Sequence, residues 1–432
     1  MSPAPSPSFR TATFRAAGWL AFASAGSIVF SIAVSQILLG ASLAALLISR
    51  QPLRLPAIKW PLALFLFGTL LAWLFSGHLA AGLPQIKKIY VFAELLVVFS
   101  CLRNAKWIRR LFEVWAGLAA LTAVWGCVQF AGKIREAHAL GLSLFSHGFY
   151  LFYVAERIRG FTSHWNTFSA EEMFALIMLT ALLMFGRTPR SWMFLWRGHA
   201  RPTATAATPI WLKAACMFPI ALAVLLAETR GVWFATAAAG FYLLWVWKRK
   251  LLLLAPVLVV LAVVASPPAI RERFQSILQP KEADSNQFRI VVWRTGLSMI
   301  EAHPWLGLGP EQPHAQFWKW LPGDIQPPFP DGYYGHLHNM YLQYAAERGI
   351  PTTLVMLWLL IQIMVNFRRG LRDLPPGRDD RRFLLHGGIA VVLAVLTEGF
   401  VEYNLGDTEV LTMFLVVTAC GYLALEKDVG WE

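Results

Sequence analysis

The chain has 432 residues, of which 57% are hydrophobic, 14% aromatic and only 15% charged, with a mean hydropathy of +0.51. An ordinary soluble domain carries about 25% charged residues, so this composition excludes one and describes a polytopic membrane protein. The net charge of +13 is not by itself a sign of nucleic acid, because basic residues in membrane proteins collect in the loops that stay inside.

Met1 to Arg15 is rich in Pro and Ser and carries two Arg. It precedes an apolar stretch too long for a signal-peptide core of about 7–15 residues, and so is expected to enter an uncleaved first hairpin. Apolar runs then fall near 16–30, 33–49, 60–76, 84–102, 108–131, 166–186, 210–227, 231–247, 251–266, 349–366, 384–401 and 408–425. Each approaches the ~17–25 residues that cross a hydrocarbon core. The expectation is an all-α polytopic membrane protein of about twelve transmembrane helices with one large periplasmic loop. Residues 1–265 hold spans one to nine, 266–345 the loop, and 346–432 spans ten to twelve.

Twelve spans put both termini on one side. If that side is cytoplasmic, its loops gather Arg50/Arg54/Lys59, Arg103/Lys106/Arg109/Arg110, Arg187 to Lys213, Lys248/Arg249/Lys250 and Arg368 to Arg382, most of the basic residues in the chain. This bias places the long polar insertion outside, in the periplasm of a Gram-negative cell. Ala139–Ala155 is aromatic and apolar enough to pass for a further span, but a span there would invert everything downstream; it is assigned to the outer membrane interface, lying flat. Cys101, Cys127, Cys216 and Cys420 all fall in apolar segments without CxxC spacing and read as packing residues. No GxxxxGK[ST] loop occurs, which argues against ATP-driven transport.

Four outward-facing groups can carry chemistry. The turn Glu228-Thr229-Arg230-Gly231 holds Arg230 at the membrane surface, where a guanidinium can fork onto phosphate oxygens or anchor to lipid headgroups. Arg289 and Trp293 share a helical face, with Arg294 beside them as a substrate contact or a snorkelling surface cation. His338, followed by Asn339 and Tyr341, can take a proton from a sugar hydroxyl near neutral pH, although a loop histidine is often merely solvated. Arg157 and Arg159, with His164, can bind an anionic headgroup or grip anionic lipid. His336 and His338 at i, i+2, with Asp331, Glu282 or Asp284, are weak evidence for a metal, and none is expected.

The ordered set Thr229-Arg230-Gly231, Arg289-x-x-x-Trp293, His303-Pro304-Trp305-Leu306-Gly307-Leu308-Gly309, His338-Asn339-Met340-Tyr341-Leu342-Gln343 and Glu347-Arg348-Gly349-Ile350 resembles the bacterial O-antigen ligase/polymerase family. The resemblance runs over roughly residues 225–365, with an echo at Arg159-Gly160. It implies a GT-C-like helical fold and transfer of a preassembled glycan from undecaprenyl diphosphate to a second acceptor, lipid A-core in the ligases. It also implies catalytic roles for His338, Arg230 and Arg289. Arg159, His164, Arg294, Tyr341 and Asn339 are the expected substrate contacts. No cofactor and no nucleic acid are implied; the partners are the lipid-linked donor, the core acceptor and membrane lipid. Physically, guanidinium groups stabilise a departing diphosphate in place of a metal, while His338 deprotonates the attacking hydroxyl with inversion. Polymerases and protein O-oligosaccharyltransferases share these motifs. A lipid or polysaccharide transporter is the competing class, but transporters place ionisable groups near mid-membrane, whereas here they collect at one face.

Overall fold

The computed structural model describes residues 7–187, 209–254, 264, 285–330 and 332–431. The described residues are helical, without strands. The helices are α1 Pro7–Ser27, α2 Ile32–Ser49, α3 Lys59–Leu74, α4 Leu79–Lys87, α5 Ala93–Cys101, α6 Ala105–Ala139, α7 His147–Ala155, α8 Trp165–Phe185, α9 Ile210–Leu226, α10 Arg230–Lys248, α11 Ser285–Ala302, α12 Met340–Asp373, α13 Asp380–Glu398 and α14 Thr408–Leu423. Among the described residues, α2, α6, α8 and α12 are long and apolar enough to cross a membrane, and α3, α9 and α14 are shorter apolar helices.

α8 and α14 are buried along nearly their whole length and form the centre of the bundle with α13. The outer helices present large apolar side chains outward, among them Ile37, Trp60, Phe67, Leu121, Phe218 and Phe241. This inversion suits a bundle whose surface meets lipid tails. α1 and α2 approach closely through small residues. The Ser24 hydroxyl donates to the Ser35 carbonyl at 2.8 Å, the Ser35 hydroxyl to the Ser24 carbonyl at 3.0 Å, and the Ser42 hydroxyl to the Ala17 carbonyl at 2.7 Å. Such contacts bind helices where no hydrophobic drive separates them from lipid.

The helices run alternately between two ends. At one end the starts of α6 and α13 meet in a buried ion network. Arg109 bonds Glu113 at 3.2 Å and Asp380 at 2.6 Å, while Lys213 at the start of α9 bonds Glu113 at 2.8 Å. Arg54 and Arg103 both pair with Asp428 near the C-terminus. Arg54, Arg103, Arg109 and Lys213, drawn from basic clusters that the sequence assigned to one side, are held by these ion pairs.

Three expectations are refined. The fourth apolar run, 84–102, is not one helix: Pro84 lies inside α4, a 3₁₀ turn Lys88–Phe92 follows, and α5 completes it. Ala139–Ala155 becomes the end of α6, a turn and the nine-residue α7, about 14 Å long and too short to cross a bilayer. The helix that carries the tenth apolar run begins at Met340, inside the interval 266–345 read as the loop. Most of the ninth run, 251–266, lies outside the described residues, as do Glu282, Asp284 and Asp331. All four cysteines carry free thiols.

Candidate active site

The segment ahead of α12 is held by the motif that follows it. Asn339 caps α12, its Oδ1 accepting from the Leu342 N–H at 3.0 Å, while its Nδ2 donates to the Phe400 carbonyl at 3.0 Å. The Met340 N–H donates to the Gly399 carbonyl at 2.7 Å and the Tyr341 hydroxyl to the Leu396 carbonyl at 2.6 Å. Gln343 accepts from the Leu337 N–H at 2.8 Å and donates to Glu347 at 2.9 Å. Glu347 in turn pairs with buried Arg348, whose guanidinium lies 4.6 Å from the Tyr344 ring centroid. These bonds fix His338 in the left-handed region, at φ 45°, a conformation rarely adopted by residues other than Gly, Asn and Asp.

The same helix is broken at Gly349, with φ 79° and ψ 164°. The loop Pro304–Pro310 fills the break: the Leu308 N–H donates to Ala346 at 2.8 Å, the Gly309 N–H to Glu347 at 3.0 Å, and the Ile350 N–H to Pro304 at 2.8 Å. A Cβ at Gly349 would run into the Trp305 carbonyl, and one at Gly307 into the Glu347–Arg348 backbone. The glycines of Pro-Trp-Leu-Gly-Leu-Gly and Glu-Arg-Gly thus permit one close backbone crossing.

At the tip of this scaffold, His336 and His338 share Glu402, from the loop between α13 and α14. His338 Nδ1 lies 3.4 Å from Glu402 Oε2, and His336 Nε2 lies 3.5 Å from Oε1. Glu402 also accepts from Asn166 Nδ2 at 2.8 Å and from the Tyr403 N–H at 3.0 Å. His336 Nδ1 accepts the His338 N–H at 3.1 Å, so the proton of a neutral His336 sits on Nε2, facing Glu402. Burial pushes His336 down to about 4. Burial alone would raise the Glu402 carboxyl, but the hydrogen bond from His338 and the charges of both imidazoles hold it well below the usual carboxylate range. His338 Nε2 lies 3.0 Å from the Tyr333 carbonyl.

The helix starts bring the cations to this end. Thr229, immediately before Arg230 at the first turn of α10, has its hydroxyl 3.5 Å from Asn166 Oδ1. Gly231 abuts Val401, where an added Cβ would sit 2.8 Å from Cγ2. Arg289 follows Phe288 on α11; the Phe288 ring meets the His338 ring edge-on at 5.1 Å, and the Arg289 charge reaches His336. His164, the cap of α8, lies within electrostatic reach of Glu402, Arg157 and His338.

Other expected contacts lie elsewhere or are engaged in the fold. Exposed Arg294 binds the exposed carboxylate of Asp324, with both oxygens at 2.9 Å. Arg159 is exposed, and its charge acts on Glu156; it is Arg157 that stacks over Trp165, 5.0 Å from the ring centroid. Tyr341 and Asn339 use their polar groups to join α12 to the end of α13.

Glu402 was missed by sequence reasoning; its one signal was an acid in a short loop between two apolar runs of a basic membrane protein. With His336 Nε2 and His338 Nδ1 it forms a group whose atoms lie within 4.8 Å of one another. A divalent cation can be held by such a set, though not the one weighed from sequence. In the structure His338 Nδ1 and Glu402 bond each other at 3.4 Å, and His336 Nε2 faces the same carboxylate at 3.5 Å.

A search of curated proteins finds no match. Residues 215–357 match a family model described as O-Antigen ligase, a segment that runs from α9 into α12 and contains Arg230, Arg289 and His338, while Glu402 and His164 lie beyond it.

Proposed function

With an O-antigen ligase domain at residues 215–357 as the premise, we propose that the chain is a glycosyltransferase of the bacterial inner membrane that moves a preassembled O-antigen glycan from undecaprenyl diphosphate to the lipid A-core oligosaccharide. The family match supports O-antigen ligase or polymerase chemistry on lipid-linked glycans, and the apolar helices support a membrane protein. The twelve-span, GT-C-like arrangement, with cytoplasmic termini and a periplasm-facing site, belongs to this reading.

The observation that carries the chemistry is the hydrogen bond between His338 Nδ1 and Glu402. A carboxylate on Nδ1 keeps the proton there and leaves Nε2 as the basic atom. Nε2 takes the proton from the acceptor sugar hydroxyl as that oxygen bonds to the anomeric carbon of the donor. The bond to the diphosphate oxygen breaks on the opposite face, which inverts the configuration. In the structure Nε2 faces the Tyr333 carbonyl at 3.0 Å, an acceptor that calls for an N–H there, so Nε2 becomes the basic atom only once its proton has left and the acceptor hydroxyl has taken the carbonyl's place. Arg230 and Arg289 hold the departing diphosphate, where fixed cations act without reorganisation. Glu402, His336 and Asn166 are positioning residues; Asn339 and Tyr341 position His338 through the backbone. His164 and Arg157 flank the donor.

The test supplies purified protein with undecaprenyl diphosphate-linked glycan, with and without lipid A-core. Ligation predicts transfer only when core is present and none by His338→Ala that still inserts and elutes normally. Chain lengthening without core favours the polymerase, and transfer to a protein hydroxyl favours the protein-directed enzyme. Full transfer by His338→Ala removes His338 from catalysis, and absence of transfer by the wild-type protein under all these conditions reopens a transport role.

A further inference from the structure

At the end opposite His338, a cleft of about 280 Å³ lies between α1 and the turn from α5 into α6. Its polar lining is Arg15, Arg103 and Asn104, and its walls include Trp19, Phe22 and Trp107. The two indoles meet edge-on at 4.1 Å, and Phe22 meets Trp107 at 4.9 Å. Arg103 gives Nη2 to Asp428, which Arg54 also binds at 3.1 Å. The other terminal nitrogen, Nη1, is buried and has no hydrogen-bond partner among the described residues.

One carboxylate thus serves two guanidiniums, and Arg15 at the mouth adds a third positive charge. A buried guanidinium N–H left without an acceptor is costly, and the acceptor it fits best is a phosphate or carboxylate oxygen. The volume is near the low end of small-molecule sites, ~300–1,000 Å³, enough for a headgroup and not for acyl chains. Trp19 is 60% exposed on the outer face of α1, which gives chains leaving the cleft an apolar path into the bilayer. Indole rings beside guanidiniums are the chemistry of the headgroup level of a membrane.

We propose that this cleft is a binding site for the phosphate of an anionic phospholipid, separate from the candidate active site at the other end of the bundle. Arg103 and Arg15 take the phosphate, and the aromatic walls hold the glycerol region.

The test measures thermal unfolding of the detergent-solubilised full chain while phosphatidylglycerol, phosphatidylcholine or inorganic phosphate is titrated. Native mass spectrometry of the same samples counts bound lipid. Phosphatidylglycerol is expected to raise the unfolding midpoint saturably and to appear as one retained lipid. Arg15→Gln, a change at an exposed side chain, should raise the half-saturating concentration about tenfold, as loss of one charge-assisted contact does; Arg103→Gln should abolish retention. Equal stabilisation by phosphatidylcholine overturns the charge recognition. Equal stabilisation by inorganic phosphate overturns the lipid assignment. Unchanged phosphatidylglycerol binding by a folded Arg15→Gln variant overturns the site.

Discussion

Replacing Glu402 by Gln keeps the shape of the side chain and removes its charge. In the structure that carboxylate accepts from Asn166 at 2.8 Å, from the Tyr403 N–H at 3.0 Å, and faces His338 Nδ1 at 3.4 Å and His336 Nε2 at 3.5 Å. An amide has one acceptor oxygen, so one side of the Gln must present N–H groups to donors. If the oxygen stays with the two short bonds as far as geometry allows, an imidazole loses its partner. A hydrogen bond to a charged group contributes ~1.5–3 kcal/mol, which at ~1.4 kcal/mol per tenfold corresponds to a fall of roughly 10–150-fold in kcat. Loss of the base itself, in His338→Ala, should cost ~10²–10⁴-fold. The assay is transfer from lipid-linked glycan to lipid A-core by purified variants, run as a double-mutant cycle. Glu402→Gln should be nearly silent in the His338→Ala background, because a positioning residue has nothing left to position. Wild-type kcat in the single variant, or a full additional loss in the double variant, refutes the coupling.

Four further outcomes follow from the same geometry. Arg230→Ala and Arg289→Ala should each lower kcat/KM by ~10²–10³-fold, with only partial recovery in the Lys variants, which lack the planar fork; unchanged steady-state transfer by either variant removes it from diphosphate binding. Because burial lowers His336 to about 4, the unfolded chain binds the extra proton first, so stability should decline as pH falls from about 6.5 towards 4; thermal midpoints in detergent should show a shallower decline for His336→Asn. Incubation with EDTA should leave turnover unchanged, and a loss restored by one divalent ion would transfer the cation's role from Arg230 and Arg289 to the His336/His338/Glu402 group. Gly349→Ala, at φ 79° and against the Trp305 carbonyl, should destabilise by at least ~1–3 kcal/mol, read as a lower unfolding midpoint.

What the sequence made legible was periodic or local. Apolar runs located most of the helices because their lengths and compositions are set by the hydrocarbon they meet. Arg230, Arg289 and His338 stood out as candidates because each lies beside a turn or aromatic residue in an ordered set. Partners across the fold were not legible. Glu402 lies 64 residues after His338 and 236 residues after Asn166, and no local pattern announces a pairing at those distances. The Pro304–Pro310 loop and the Gly349 break were visible as motifs, but their joint meaning, one backbone crossing, needed the fold. The ion pair of Arg294 with Asp324, 30 residues later, was not legible either, because the spacing of Arg294 from Arg289 says nothing of it. Arg159 and Arg157 alternate in an irregular turn, where spacing does not decide which side chain faces inward.

On the proposed reading, the same end of the bundle must receive a diphosphate while holding a carboxylate. α8, α10 and α12 all begin at this end, capped by His164, Thr229 and Asn339. The N-terminus of each carries roughly half a positive charge, which favours a phosphate. Glu402 would oppose that field if its charge were bare, but donors from Asn166, Tyr403 and two imidazoles surround it. Its bonds orient His338, and on this reading the helix starts together with Arg230 and Arg289 outweigh this one negative charge at the diphosphate. The left-handed backbone at His338, held by Asn339 and Gln343, aims one imidazole nitrogen at the carboxylate and leaves the other towards the Tyr333 carbonyl. On the proposed reading, Glu402 orients the histidine through Nδ1 while Nε2 is left on the side of the Tyr333 carbonyl, where the acceptor hydroxyl would enter.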